Sequence, residues 1–146
     1  MSSYPIRSFD AVVIGAGVAG LTFALHLPSD RSVLLITKGE FGESNTRYAQ
    51  GGISAAIGND DSPRLHEIDT IEAGAGLCDP DAVRELVDGA PRAVEWLVSI
   101  GARFDRDAGG SILLGREAAH RRRRVLHAGG DATGHEVERA LVAEAR

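Results

Sequence analysis

Gly15-Ala16-Gly17-Val18-Ala19-Gly20 constrains this sequence more than any other feature, because a Gly-x-Gly-x-x-Gly pattern between two apolar runs permits few folds. The run before it, Ala11 to Ile14, is short, apolar and free of polar alternation, which predicts a buried parallel strand. After it, Val18, Leu21 and Leu25 recur at helical spacing until Pro28, and Ser32 to Thr37 reads as a second buried strand around Val33-Leu34-Leu35-Ile36. The three pieces make a βαβ unit of about 30 residues with a right-handed crossover, and they set the expected class as α/β with a parallel sheet. In that frame each glycine has a task. The first permits the tight turn, the second lets a pyrophosphate approach the backbone, and the third lets helix and strand pack closely. The helix N-terminus then favours the anion, so dinucleotide binding is expected here.

The usual acidic residue at the end of the second strand is missing, for Thr37 and Lys38 stand there and Glu40 follows two places on. Two explanations stay open at this point. Lys38 could meet the 2′-phosphate of NADP, or the chain could belong to a flavoprotein class that holds its ribose differently. The stretch from Ala11 to Leu27, with Arg7 upstream, could imitate a signal peptide or membrane span. Its three glycines, Asp10 at its entrance and its shortness against the ~20 residues a span requires all argue otherwise.

Lys38 to Gly52 has no apolar period and four glycines, so it reads as a long functional loop. Ser62-Pro63 opens a helix carrying Leu65, Ile68 and Ile71 and closing near Gly74. Asp79-Pro80 opens another, with Val83, Leu86 and Val87. Gly89 and Pro91 interrupt it, and a further short helix over Val94, Leu97 and Val98 ends at Gly101. Arg103 to Leu114, with Asp107, Gly109 and Gly110 between apolar pieces, suggests a hairpin. Thr133-Gly134-His135-Glu136 matches a capping box for a last helix bearing Val137, Leu141 and Ala145. That helix runs to the end of the chain, so the sequence is expected to be part of something longer.

A net charge of −5 gives no electrostatic reason to expect nucleic acid or an anionic membrane. Arg121 to Arg124 could bind RNA or phosphate, but no aromatics interleave them, and a solvated or internally paired face is expected. His120 and His127 flank that run without the cysteines or paired carboxylates of a metal site. Cys78, the single cysteine, cannot form an internal disulfide, reads as a small buried hydrophobe and suits a reducing, cytoplasmic setting.

Ser44-Asn45-Thr46-Arg47-Tyr48-Ala49-Gln50-Gly51-Gly52-Ile53 resembles the flavin-contacting segment of the fumarate reductase, succinate dehydrogenase and L-aspartate oxidase flavoproteins. The likeness continues through Asp69 to Asp79, the stretch around Trp96 and Gly101, Gly115 to His120, Arg123 to Ala128 and Asp131 to Gly134, so it runs from about Phe9 to the last residue. Its motifs as a set resemble the L-aspartate oxidases most. The resemblance implies a doubly wound, Rossmann-like FAD-binding domain, incomplete over residues 1–146, with the start of an inserted substrate-side region. It implies FAD contacts from Ala16, Gly17, Val18 and Ala19 in the Gly15 to Gly20 turn, from Lys38, and from Asn45, Thr46, Arg47, Tyr48, Ala49, Gln50, Gly51 and Gly52. Thr46 and Gln50 would offer hydrogen bonds to the flavin ring, and Tyr48 could equally be packing. Where respiratory relatives carry a histidine bonded covalently to flavin, this chain has Asn45, which implies non-covalent FAD.

Glu117 matches the glutamate that orients the substrate near its amino group, the alternative being a surface salt bridge to a neighbouring arginine. The implied reaction is oxidation of L-aspartate to iminosuccinate with oxygen or fumarate as acceptor, the first step of NAD synthesis by the aspartate route, with quinolinate synthase as a following partner. The family's further substrate-binding residues lie beyond position 146, so the chain alone is expected to be inactive. A non-enzymatic FAD- or NADP-binding module is the alternative.

Overall fold

The computed structural model describes residues 6–146. Its first sheet pairs β1 (Ala11–Ile14) in parallel with β2 (Val33–Ile36), Ala11 opposite Val33 and Ile14 opposite Ile36. Helix α1 (Val18–Leu25) makes the crossover and buries Leu21, which bears out the βαβ unit. The strands are not buried on both faces. Val13 is buried, whereas Val12, Ile14 and Ile36 are exposed, because α1 covers one face and no other described element covers the opposite one.

A second sheet is antiparallel, in the order β3 (Ile53–Ser54), β5 (Val125–Leu126), β4 (Leu114–Gly115), with Ile53 and Leu114 both in register with Leu126. Strands of two residues carry no readable period, and the sequence predicted only the hairpin leading into β4. That hairpin is present. Arg106 bridges Ile112 across a turn in which Asp107 Oδ1 accepts the amides of Gly109 and Ser111, both at 2.9 Å.

Helix α2 (Pro63–Ala73) starts as expected, with Ser62 accepting the Leu65 amide and proline in the first turn. Its buried face is not the apolar one. Ile68 is exposed, while His66, Glu67 and Asp69 are buried: Asp69 meets the buried Arg124, His66 the half-buried ring of His120, and Glu67 the guanidinium groups of Arg64 and Arg84. Helix α3 (Pro80–Ser99) is capped by Asp79, which accepts the amides of Asp81 and Ala82, and it runs unbroken through Gly89 and Pro91. An internal proline costs ~3 kcal/mol. Burying Val87, Val94 and Leu97 along one stripe returns more, at ~1.5–3 kcal/mol per side chain, so the predicted interruption does not occur.

Helix α4 (Thr133–Glu144) buries Val137 and Leu141 as predicted, while Ala145 forms its C-cap. The capping box is absent. Ala132 holds the N-cap position, Thr133 Oγ1 accepts the Ala128 amide at 3.1 Å, and the Glu136 carboxylate accepts the Arg103 amide at 2.7 Å instead of capping its own helix. Leu21, Val94, Leu97, Phe104, Leu126 and Leu141 form the centre of the core, joining both sheets to α1, α3 and α4.

Candidate dinucleotide cleft and its neighbours

Helix α1 begins with Gly17 at its N-cap, a residue that offers no side chain to the first-turn amides. Gly15, at φ +108°, makes the reversal out of β1, a conformation L side chains rarely adopt. A Cβ on Gly20 would sit 2.0 Å from the Gly15 carbonyl oxygen and 3.2 Å from Val13 Cγ1, so helix and strand could not approach this closely with any larger residue. Gly15 thus turns the chain and Gly20 admits the helix to the strand, as their places in the motif require, while a Cβ on Gly17 would meet Thr46 Oγ1 at an ordinary 3.4 Å.

From β2 the chain passes Lys38 and reaches a one-turn 3₁₀ helix, Asn45–Tyr48, capped by Ser44 Oγ, which accepts the Thr46 amide at 3.1 Å. Thr46 Oγ1 then accepts the Val18 amide at 3.0 Å, which ties this turn to the start of α1. Between them opens a cleft of about 810 Å³ at the C-terminal ends of β1 and β2, the place where open α/β sheets take their ligands. Gly15 to Ala19, Lys38, Asn45, Thr46 and Tyr48 line it, with Ile14 and Ile36 at its floor.

The other expected contact residues lie outside the cleft. Arg47 borders a different pocket with His135, Glu138 and Arg139. The Ala49 carbonyl accepts the Gly134 amide at 3.0 Å, Gln50 is exposed, Gly51 turns the chain at φ +68°, and Gly52 stands beside β5. The Tyr48 hydroxyl donates to Glu43, whose bond and charge raise the phenol's pKa. Thr46 Oγ1 accepts one amide here, which leaves its hydroxyl hydrogen and one lone pair to offer a ligand.

Glu117 stands apart from this cleft, two residues past β4, and it pairs not with an arginine but with His127, Oε1 to Nε2 at 2.7 Å. The sequence offered no signal for His127 beyond its place in a motif. Nor did it single out Gly134, where a Cβ would lie 2.1 Å from the Thr46 carbonyl oxygen and 2.6 Å from that of Ala49. Bare backbone there lets α4 dock against the 3₁₀ turn.

The arginine run is in part internally paired and in part solvated, Arg123 being exposed and 3.5 Å from the Leu114 carbonyl, which agrees with the expected face. Arg124 is wholly buried and makes a bidentate pair with Asp61, both contacts 2.8 Å, and a third bond to Asp69 at 3.0 Å. Arg121 pairs with Asp69 and Glu72, and Arg122 Nε donates to the Asp60 carbonyl. Burial works to raise the Asp69 pKa, but the Arg121 amide and the two guanidinium groups outweigh it and hold the carboxyl low. Among the described residues no group of His, Cys, Asp and Glu could hold a metal ion, and no helix is long and apolar enough to cross a membrane. Cys78 is free and half-buried, its Sγ against the Thr70 carbonyl.

The family described as FAD binding domain matches residues 10–146. The chain is 52% identical over 138 residues to L-aspartate oxidase of Streptomyces coelicolor, covering 94% of this chain and 24% of that protein. It is 53% identical over 135 residues to L-aspartate oxidase of Mycobacterium tuberculosis, covering 90% and 26%. The solved structure of Mycobacterium smegmatis Sdh1 in complex with UQ1 superposes with a TM-score of 0.87 at 36% identity, over 94% of this chain and 24% of that one. E. coli quinol fumarate reductase gives 0.86 at 29% identity, over 93% and 24%. The chain thus spans about a quarter of the length of the curated relatives it matches. The glycine turn, the strand-end cleft and this likeness agree: the chain belongs to the FAD binding domain family, with FAD as its cofactor.

Proposed function

We propose that residues 1–146 form the N-terminal part of an L-aspartate oxidase, the portion that holds FAD and presents one substrate-orienting carboxylate. The observation that carries this reading is the half-identity to L-aspartate oxidases across nine-tenths of the chain, together with an asparagine and a glutamate at positions 45 and 117. FAD would supply the hydride acceptor for oxidation of L-aspartate at Cα to iminosuccinate, with oxygen or fumarate as the terminal acceptor. The chain's own contribution is placement. The amides at the start of α1 and the turn at Gly15 to Ala19 would receive the pyrophosphate. Lys38 and the 3₁₀ turn would border the rest of the dinucleotide, with Gln50 to Gly52 continuing along it toward β3. Glu117 would face the substrate ammonium, a contact that favours an amino dicarboxylate over succinate or fumarate. Iminosuccinate would pass to quinolinate synthase on the route to NAD, and the lone free cysteine suits a cytoplasmic enzyme.

Asn45 has no imidazole to bond the flavin, so FAD should be held non-covalently. Acid precipitation of the full-length flavoprotein should release all flavin to the supernatant while L-aspartate bleaches the flavin band before precipitation. Flavin retained in a washed pellet, or no bleaching by L-aspartate, would overturn the reading.

A further inference from the structure

We propose that His127 is a positioning residue for Glu117, and that the two side chains act as one unit in telling an amino dicarboxylate from a plain one. The inference deepens the reading of Glu117 above and rests on it. His127 Nε2 lies 2.7 Å from Glu117 Oε1. An ionised carboxylate only accepts, so the pairing assigns the ring hydrogen to Nε2. Oε1 is then engaged, and Oε2 is left to meet a cation.

Three backbone features converge on this pair. The register of β3 with β5 places position 127 opposite Gly52, where a Cβ would come within 3.1 Å of the His127 ring. A Cβ on Gly115 would lie 2.8 Å from Glu117 Oε1 and 3.5 Å from His127 Nε2. Immediately after Glu117, Ala118 adopts φ +51°, a left-handed conformation uncommon for a residue with a side chain, and the His120 amide closes the turn on the Glu117 carbonyl at 3.1 Å. Ordinary surface ion pairs of this chain, such as Arg84 with Asp81, sit on a helix face with no such clearance. The Glu117 side chain is 52% exposed, and a free glutamate there would sample several rotamers. Fixing it before the substrate arrives removes that entropy loss from the binding step. The ring also stands between Gly52, at the end of the flavin-segment motif, and the carboxylate, so it relates the position of one to the other.

The test uses the full-length flavoprotein, four single variants, Glu117→Gln, His127→Phe, His127→Gln and Gly115→Ala, and the double variant that combines the first two. Steady-state KM and kcat are measured for L-aspartate and for fumarate, and the Kd of succinate is read from the flavin band. His127→Phe should raise the L-aspartate KM about tenfold, the order expected for losing one hydrogen bond to a charged group. The fumarate KM and the succinate Kd should change by less than about twofold, since neither ligand has an ammonium. His127→Gln, whose amide can still donate, should recover most of the loss. Gly115→Ala would displace the far end of Glu117 and should reproduce His127→Phe without substituting either partner. In the Glu117→Gln background, His127→Phe should add nothing further. Equal losses for all three ligands, additivity with Glu117→Gln, or a silent Gly115→Ala would overturn the proposal, and if His127→Phe does not fold, His127→Gln and Gly115→Ala decide it. Should Glu117→Gln alone impair L-aspartate and fumarate alike, the reading of Glu117 fails, and that result is distinct from a failure confined to His127.

Discussion

Arg124 is the one member of the arginine run that is wholly buried, and the carboxylates of Asp61 and Asp69 that meet it fix the seat of α2 against β5. Breaking such a pair by removing one partner costs ~3–5 kcal/mol, because it strands the remaining charges. The same cluster holds His66, edge-on to His120 with ring centroids 5.2 Å apart. Burial, then the nearby charge of Arg124 and then His120, lower its pKa from 6.5 to about 4, against the opposing pull of Asp61 and Asp69. His66 is therefore neutral in the folded protein, while the unfolded chain takes up a proton below pH 6.5. The contribution to stability is whole above pH 6.5 and is lost as pH falls from 6.5 to about 4, by about 3 kcal/mol in all. Urea midpoints of the full-length protein followed from pH 7 to 4 should decline over that window, and His66→Phe should flatten the decline. An unchanged slope in the variant would assign the acid sensitivity to the carboxylates. A second buried group behaves oppositely: burial raises the pKa of Glu138, while the Ser44 hydroxyl and then the charge of Arg47 pull it part of the way back.

At the scale of elements, the docking of α4 on the 3₁₀ turn is what holds Asn45 to Tyr48 against the start of α1. Gly134 permits that approach, and the atoms its Cβ would strike include the carbonyl oxygens of Thr46 and Ala49, backbone that cannot swing aside. Gly134→Ala should therefore push α4 off the turn, lower stability by ~1–3 kcal/mol as overpacking does, and weaken FAD binding by loosening the Thr46 bond to Val18. Denaturation midpoints and flavin fluorescence titration would measure both, and wild-type FAD affinity in this variant would separate the turn from the cofactor. The elements were legible in the sequence where local chemistry decides them: β1, α1, β2, and the starts of α2 and α3 all follow from apolar runs, prolines and caps. Tertiary contacts decided the rest. Pro91 failed to break α3 because a buried stripe crosses it, α2 turned its polar side inward to meet Arg124, and Thr133 gave its hydroxyl to Ala128 instead of capping α4. In the candidate site, the structure brings the glycine turn, Lys38, Asn45, Thr46 and Tyr48 around one cleft. His127 and Gly115 lay within the motifs, but their contact with Glu117 was not legible, because it joins residues far apart in sequence.

Over the whole molecule, the parallel pair presents an apolar surface to solvent on the side away from α1. Ile14 is 85%, Val12 56% and Ile36 44% exposed, in strands whose sequence has the unbroken apolar character of a sheet covered on both faces. Parallel strands of this composition are stable when helices lie on each side, and an open edge invites association with other chains. A second deficit concerns the substrate. The proposed substrate, L-aspartate, would bring two carboxylates to be neutralised against the flavin, and Glu117 has the wrong sign for that task. Of the arginine run, Arg124 is consumed by Asp61 and Asp69, Arg121 by Asp69 and Glu72, and Arg122 donates to the Asp60 carbonyl, which leaves the exposed Arg123, 3.5 Å from the Leu114 carbonyl, a single guanidinium against two carboxylates. Residues 1–146 expressed alone should accordingly bind FAD weakly, show a broad unfolding transition and fail to oxidise L-aspartate. Peroxide release and fumarate-coupled assays with added FAD would measure the last point, and adding the remaining three-quarters of a curated relative's length as a covalent extension should restore turnover. L-Aspartate oxidation by residues 1–146 above a no-protein control would show that the cations needed for the two carboxylates are already within this chain.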